Sequence, residues 1–486
     1  MKTRTLAENV FYNMLYQVIV TVLPIVTTPY TARVLGLHAN GIHSFTESIV
    51  TYFIIFGSLG TSLYGIRKVA YVRNDDKELA HTTLEIILLK LILMAMSLAV
   101  YIPAVCINSE YSTIYYIHII NIVANGIDIS WFYQGVEDFK RVTIRNLIVK
   151  LIYVVSLFLF IRQPEDLNKY VFLVVVSALV GNFLMIYYLP QYIRINWKAK
   201  FKPFSHVKDC FMLFIPQAMN YVYALLDRSM LGWMTHTDNV SIYDQAQRLI
   251  RMVTAILQSV GYVMMARVAN MTISKDEEGI IRYAHKSVNF NMFLALPAMF
   301  GIIGIADDFI PLFLGQEYLG VVPVLKLLSV LVLTMSLNSI LGVQLLMPMG
   351  REKVYATATT FGAITNVLVN VVLIPVIGIK GACVSSIAAE VGVFSISYWN
   401  LRKMLKIRLI LKDNAFVALA SIAMFLLVRL VSRVELGILP KLFLEIAGGG
   451  IVYVGIMFLT RNEILLIIFN KVLNYIKKVL GKDICS

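Results

Sequence analysis

The sequence predicts an all-α integral membrane protein: fourteen membrane-spanning helices in two six-helix lobes, plus an extra C-terminal helix pair. Three observations predict it. Of 486 residues, 58% are hydrophobic and only 15% are charged, whereas an ordinary globular domain carries about 25% charged residues. Mean hydropathy is +0.75, and the apolar residues come in long runs such as 86–104 and 416–428. That is the scale of the roughly 20 residues a helix needs to cross a hydrocarbon core. Thirdly, the basic residues are unevenly placed between the runs. Lipid offers backbone groups no partners, and no alternating barrel pattern occurs, so the spanning elements are helices.

The spans fall at about 8–31, 42–66, 84–107, 113–133, 143–162, 169–190 and 209–234, then 242–266, 283–306, 319–347, 355–377, 379–401, 413–432 and 438–460. With the N-terminus cytoplasmic, inside segments hold thirty of the 43 basic residues, among them Lys140, Arg141, Arg351 and Lys353. Outside segments hold seven, among them Arg33, Arg162, Lys169 and Lys380. Basic residues mark cytoplasmic loops, so both termini are expected inside. The formal charge of +14 is therefore an orientation signal and does not point to nucleic acid. No cleavable signal peptide is expected, because the first apolar stretch is long and runs into another span. Loops are too short for a soluble catalytic or nucleotide-binding domain, and no Walker-type glycine loop occurs. Cys106, Cys210, Cys383 and Cys485 lack ligand spacing and are expected unpaired. No cofactor or metal is expected. Transport driven by a gradient or by the substrate itself is the class that remains.

A weak internal repeat divides the chain. Tyr30-Thr-Ala-Arg33-Val-Leu-Gly36 corresponds to Leu226-Asp-Arg228-Ser-Met-Leu-Gly232, and the hairpin Glu137-Asp-Phe-Lys-Arg141 to Gly350-Arg-Glu-Lys353. These offsets predict an N-lobe at 1–200 and a C-lobe at 201–403, followed by the helix pair at 404–460 and a cytoplasmic amphipathic tail at 461–486. Transporters commonly place a substrate site between two such halves.

Polar residues at helical spacing within apolar spans face protein or water. The first span carries Asn9, Asn13, Gln17 and Thr21; the second Ser44, Glu47, Thr51 and Ser58. The seventh carries Gln217, Asn220, Asp227 and Arg228. The eighth holds Asp244, Gln247, Arg248, Arg251, Thr254 and Gln258 on one face, and the eleventh adds Thr359, Asn366 and Asn370. Spans 1, 2, 7 and 8 are thus expected to share a solvated interface; polar glue between helices is the plainer reading. Arg33, Arg228, Arg248 and Arg251 fall in the outer halves of their helices. Each intramembrane arginine costs about 2.5–3.5 kcal/mol on insertion scales, and guanidinium forks match phosphate oxygens bidentately. A phosphate-bearing substrate would account for them, and structural ion pairing is the alternative. Glu47, Asp227 and Asp244 are placed to pair with these arginines, or to carry a coupling proton or cation. Lys90 reads as a snorkelling side chain and Lys150 stays open. Lys326, Glu390 and Glu445 are intramembrane charges without an evident partner.

Several stretches resemble a known family. Pro29-Tyr-Thr-Ala-Arg33-Val-Leu-Gly36 and Asn40-Gly-Ile-His-Ser-Phe45-Thr-Glu-Ser-Ile49 resemble the first hairpin of Wzx-type flippases. Asp128-Ile-Ser-Trp-Phe-Tyr-Gln-Gly-Val-Glu-Asp-Phe139 with Thr143-Ile-Arg-Asn146 resembles their fourth-to-fifth helix junction. Leu226-Asp-Arg228, Tyr243-Asp-Gln-Ala246, Gly350-Arg-Glu-Lys353 and Ile374-Pro375 with Gly378 and Gly381-Ala382 resemble later signatures. Ala266-Arg267 departs from the family's frequent proline before arginine. The resemblance covers most of the first 400 residues. It implies the V-shaped, alternating-access fold shared with MATE exporters and the lipid II flippase MurJ, in the MOP exporter superfamily. It also implies an undecaprenyl-diphosphate-linked oligosaccharide of capsule, O-antigen or teichoic-acid type as substrate, and a bacterial cytoplasmic membrane as location. A coupling ion, H+ or Na+, is left open. Spans 13 and 14 look like those of flippases with a lipid groove.

Two other classes make different demands on the sequence. A MATE-like small-molecule exporter would call for an aromatic, acidic cavity rather than an arginine-bearing one. A membrane-embedded polysaccharide polymerase would call for a large outer loop with carboxylates. After Thr460, Leu465, Ile468, Phe469, Val472, Leu473, Ile476, Val479 and Leu480 line one face and lysines the other, which predicts a helix lying in the membrane interface. It reads as a passive anchor; a polymerase as its protein partner has no residue pattern to support it.

Overall fold

The computed structural model describes residues 6–107, 109–193, 200–258, 261–406, 410 and 412–479, with side chains left aside at 6–22, 215–224 and a few later positions. Among the described residues there are helices and turns and no strand. Eight helices among the described residues are long and apolar enough to cross a membrane, or nine if the bent pair Gln316–Leu328 and Val330–Leu346, which meet at 47°, forms one span. The chain divides into two compact units, Met1–Ser241 and Ile242–Ser486.

The first unit opens with α1, Leu6–Ser58, a helix of 53 residues. The sequence separates spans at 8–31 and 42–66; the backbone instead runs helical across that gap and kinks at Gly36, with φ 76° and ψ −179°. That region of the backbone map belongs essentially to glycine. The kink frees carbonyls, and the Asn40 side chain takes two of them, donating to Thr31 O at 3.0 Å and to Gly36 O at 2.8 Å. A second break at Leu59 and Gly60, both at positive φ, separates α1 from α2, Thr61–Val72. Helix α3, Asp76–Tyr101, starts where Asp75 accepts from Lys77 N and Glu78 N, a regular N-cap. The expected span 113–133 is also broken, into α4, Ser112–Gly126, and α5, Ser130–Gly135. Then come α6, Phe139–Phe160, α7, Leu167–Tyr188, and α8, Val207–Met234.

The break between α4 and α5 explains the Asp128–Phe139 signature. Trp131, Phe132 and Tyr133 are buried in a cluster with Tyr64, Val69 and Leu89. The backbone freed by the break is satisfied by side chains from neighbouring helices. Lys90 Nζ donates to Asp128 O at 2.8 Å, and Asn182 Nδ2 donates to Ala124 O at 2.8 Å. Arg145 binds Asn182 Oδ1 at 2.9 Å and Ser130 Oγ at 2.5 Å. Lys90 is thus no snorkelling side chain: it is 3% exposed and spends its charge on a helix end.

The boundary between the units falls within α9, Thr237–Gln258, whose first five residues belong to the first unit; the second continues with α10, Gly261–Ile273, and α11, Glu277–Phe313. The bent pair consists of α12, Val321–Leu328, and α13, Val330–Ser339, the latter running into a π-helical turn. Then follow α14, Glu352–Ile377, α15, Ile379–Leu401, α16, Ala415–Val431, and α17, Ile438–Leu459. The last helix is α18, Glu463–Val479, where the sequence predicts an amphipathic helix; Leu480 lies outside the described residues. Here α11, α16 and α17 share a core of Phe293, Val417, Met424, Tyr453 and Met457, against which Ile464 and Leu465 pack. Outward faces are apolar: Leu151, Val155 and Leu159 on α6, or Leu419, Leu426 and Leu430 on α16, are each more than half exposed. Such faces belong against lipid, and the chain is a multi-pass membrane protein.

Candidate functional site: buried polar groups of two helix sets

In the first unit, α8 packs on the second arm of α1 along small residues. A Cβ on Gly232 would stand 2.1 Å from the Phe45 ring, so only glycine admits this approach. One turn away, Ser229 Oγ lies 3.1 Å from Ser48 Oγ and 3.0 Å from the Tyr52 hydroxyl. Small residues let membrane helices approach closely, and hydroxyls bond across them. Asp227 and Arg228 sit within this seam. Asp227 is 5% exposed, and Arg228 Nη1 lies 3.9 Å from Glu47 Oε2 on α1, its side chain 12% exposed. The seam therefore holds a guanidinium mostly withdrawn from solvent beside a carboxylate whose side chain is 36% exposed. Arg33 is exposed, one turn before the Gly36 kink.

At the Gly36 end of the same unit lies a cavity of 630 Å³, whose walls include Phe45, Tyr111, Tyr115, Trp233, Glu110 and Asp238. His38 Nδ1 meets Asp238 Oδ1 at 2.7 Å on its rim. Phe45 stands edge-on to both Tyr111 and Trp233, at centroid distances of 6.3 and 6.4 Å. The sequence reading did not find this cavity, because its walls come from α1, the 104–115 segment and the end of α8.

In the second unit, α9 presents its polar stripe. Asp244 is fully buried and accepts from Arg248 Nε at 2.8 Å, one turn on. Gln247 donates to the Tyr243 hydroxyl at 2.8 Å, which lies 2.7 Å from Ser386 Oγ on α15. Arg251 and Gln258 lie further along α9, both partly buried. Asn366 and Asn370 are fully buried at the seam of α14 and α15. Asn366 Nδ2 donates to Ser385 Oγ at 2.9 Å, Ser385 Oγ returns a bond to Asn366 O at 2.7 Å, and Asn370 Nδ2 donates to Asn366 Oδ1 at 3.2 Å. Their amides are engaged in helix–helix packing. The side chains of Asn13, Gln17, Gln217 and Asn220 lie outside the described residues.

Charges that the sequence leaves without partners acquire them. Lys326 binds both oxygens of Asp307 at 2.7 Å, and Glu390 Oε2 accepts from Asn338 Nδ2 at 2.6 Å. These partners lie 19 and 52 residues away, beyond the reach of helical periodicity. Pairing of this kind is the usual fate of intramembrane charge.

Comparison with known proteins gives this architecture its context. The putative O-antigen transporter of Shigella dysenteriae is 22% identical over 372 residues, which is 76% of this chain and 93% of that protein. The lipid II flippase MurJ, solved in an inward closed conformation, superposes with a TM-score of 0.67 at 14% identity, covering 94% of this chain and all of MurJ. An outward-facing multidrug resistance MATE family transporter of the MOP superfamily gives 0.54 at 12% identity, over 82% of this chain and 94% of that one. The fold is that of MurJ and the MATE transporters. A family model described as polysaccharide biosynthesis protein matches residues 6–267, more than half of the sequence, and the chain belongs to that family.

Proposed function

We propose that this protein is a flippase. It carries undecaprenyl-diphosphate-linked oligosaccharide repeat units, of capsule, O-antigen or teichoic-acid type, from the inner to the outer leaflet of a bacterial cytoplasmic membrane by alternating access. In this reading fourteen helices span the membrane with both termini cytoplasmic, as lobes at 1–200 and 201–403, a helix pair at 404–460 and a tail at 461–486. The single observation that carries it is the set of arginines held at partial burial beside acids on polar helix faces. Arg228 rests beside Glu47, and Arg248 on fully buried Asp244 with Arg251 one turn beyond. Such pairs keep a guanidinium inside an apolar protein at tolerable cost, and an arriving diphosphate exchanges one anion for another. The family, the relatives' names and the fold support the same class. The 630 Å³ cavity is aromatic and acidic, the character the alternative exporter calls for, and its rings and carboxylates equally suit sugar rings and hydroxyls. Arg33 belongs to the same proposed set, with Glu47, Asp227 and Asp244 as gating or coupling acids; H+ or Na+ would be the ion.

The test is export in cells that make the polymer. Arg228→Ala and Arg248→Ala each abolish export at normal membrane levels, while lipid-linked oligosaccharide accumulates on the inner leaflet. Lysine at either position restores only part of it, because a point charge cannot fork around phosphate oxygens. Full export by both alanine variants would sink the phosphate role. A cation-coupled small-molecule exporter, the alternative, would depend on Glu47 and Asp244 and tolerate loss of the arginines.

A further inference from the structure

Three acids and three bases gather at one end of the second unit, where the C-terminal end of α11 meets α12, α16 and α17. Asp307 on α11 accepts from Lys326 on α12 at 2.7 Å and from Arg429 Nη1 on α16 at 2.6 Å. Its neighbour Asp308 accepts from Lys441 Nζ on α17 at 3.0 Å. Glu445 lies one turn further along α17 and is fully buried. Neither of its carboxylate oxygens meets a hydrogen-bond donor among the described residues, and it shares a face of α17 with Lys441, four residues earlier, whose ammonium reaches Asp308. Each of the three cations is thus paired with an aspartate, and none of them donates to Glu445.

A fully buried carboxylate without a donor, on the helix face that meets a second carboxylate, cannot stay ionised beside it; it takes a proton, and that proton supplies the missing donor. A metal ion fits less well. Lys441 already brings an ammonium to Asp308, and no group of three or more acidic, histidine or cysteine side chains suited to a metal occurs among the described residues.

We propose that Glu445 is a proton-binding site: its carboxyl holds a proton toward Asp308, and the presence of that proton decides which carboxylate Lys441 pairs with. Lys441 and Glu445 are four residues apart on α17, the spacing at which side chains on one helix face meet. With the proton bound, Glu445 donates to Asp308 and Lys441 bridges to the same aspartate, so α17 is tied to α11 twice. When the O–H bond breaks and the proton leaves to water, Glu445 becomes a carboxylate with an ammonium one turn away. Lys441 then turns to its own helix, and both ties to α11 are lost. Because α16 and α17 share their core with α11, proton occupancy sets how firmly the C-terminal helix pair is held. The site stands whether or not the transported lipid is the one proposed above.

The full-length protein in nanodiscs tests this by infrared spectroscopy and thermal unfolding across pH. The wild type shows a carboxylic-acid C=O band at neutral pH that is absent in Glu445→Gln. In Asp308→Asn the same band is lost, because Lys441 is released to pair with an ionised Glu445. A proton held more tightly folded than unfolded stabilises at low pH, and that stability is lost as pH rises. The wild-type midpoint therefore falls with rising pH, and the Glu445→Gln midpoint stays level, because the amide keeps a donor and cannot ionise. A wild type without the acid band, or a band that persists in Asp308→Asn, overturns the proposal; so does a Glu445→Gln midpoint that follows the wild-type pH dependence.

Discussion

Gly36 and Asn40 work as a pair: one permits the kink in α1, and the other bonds the carbonyls it exposes. A Cβ at φ 76°, ψ −179° is strained whatever the space around it, at a cost of order 1–3 kcal/mol. Gly36→Ala is therefore expected to lower the thermal midpoint of the solubilised protein, and an unchanged midpoint would show that the backbone can relax there. The sequence makes Gly36 conspicuous through its repeat partner, Gly232, but the fold assigns the two different roles. Gly36 bends a helix, whereas Gly232 lies inside α8 and admits the Phe45 ring. Identical residues at corresponding positions looked alike because the backbone angle and the facing side chain are tertiary facts. Lys90 teaches the same lesson. Its charge suggested a side chain reaching for water, while the acceptor at Asp128 O exists only because a helix ends 38 residues away.

Among elements, the α1–α8 seam is tightly specified by Gly232. Gly232→Val forces a branched side chain into the Phe45 ring, and overpacking of this kind costs about 1–3 kcal/mol. The expected result is a lower midpoint that Phe45→Ala partly restores in the double variant, since residues in contact couple. Simple additivity of the two changes would mean that the seam does not close as described. At the other end of the chain, α18 covers the α17 core through Ile464 and Leu465, and Phe469 meets Phe458 edge-on with centroids 6.2 Å apart. Truncation after Thr460 is expected to reduce membrane abundance while leaving transport per molecule largely intact. An abundant but inactive truncation would place the tail in the mechanism. The apolar stripe of α18 was legible because amphipathic periodicity is local. The breaks at 59–60 and between α4 and α5 were not, because hydropathy sums over a window and does not register a local change of backbone direction.

For the whole molecule, the charge asymmetry yields a topology that labelling can check. Cysteines placed at His38 and Lys380 are expected to react from outside the cell, and those at Lys140 and Arg351 only after permeabilisation. Reaction of residue 140 from outside would reverse the proposed orientation and the outer placement of the arginines. By itself the sequence determined the membrane class, the helical content and the polar faces bearing Arg228, Asp244 and Arg248. Transfer of apolar residues into lipid and 3.6-residue periodicity are properties of neighbouring positions, so a linear reading captures them. Tertiary structure alone decided that Asn366 and Asn370 serve the α14–α15 seam, which arginine Glu47 sits beside, and that Lys326, Arg429 and Lys441 converge on two adjacent aspartates. A buried charge is settled by whichever group the fold brings to it, and those groups lie tens to hundreds of residues away along the chain.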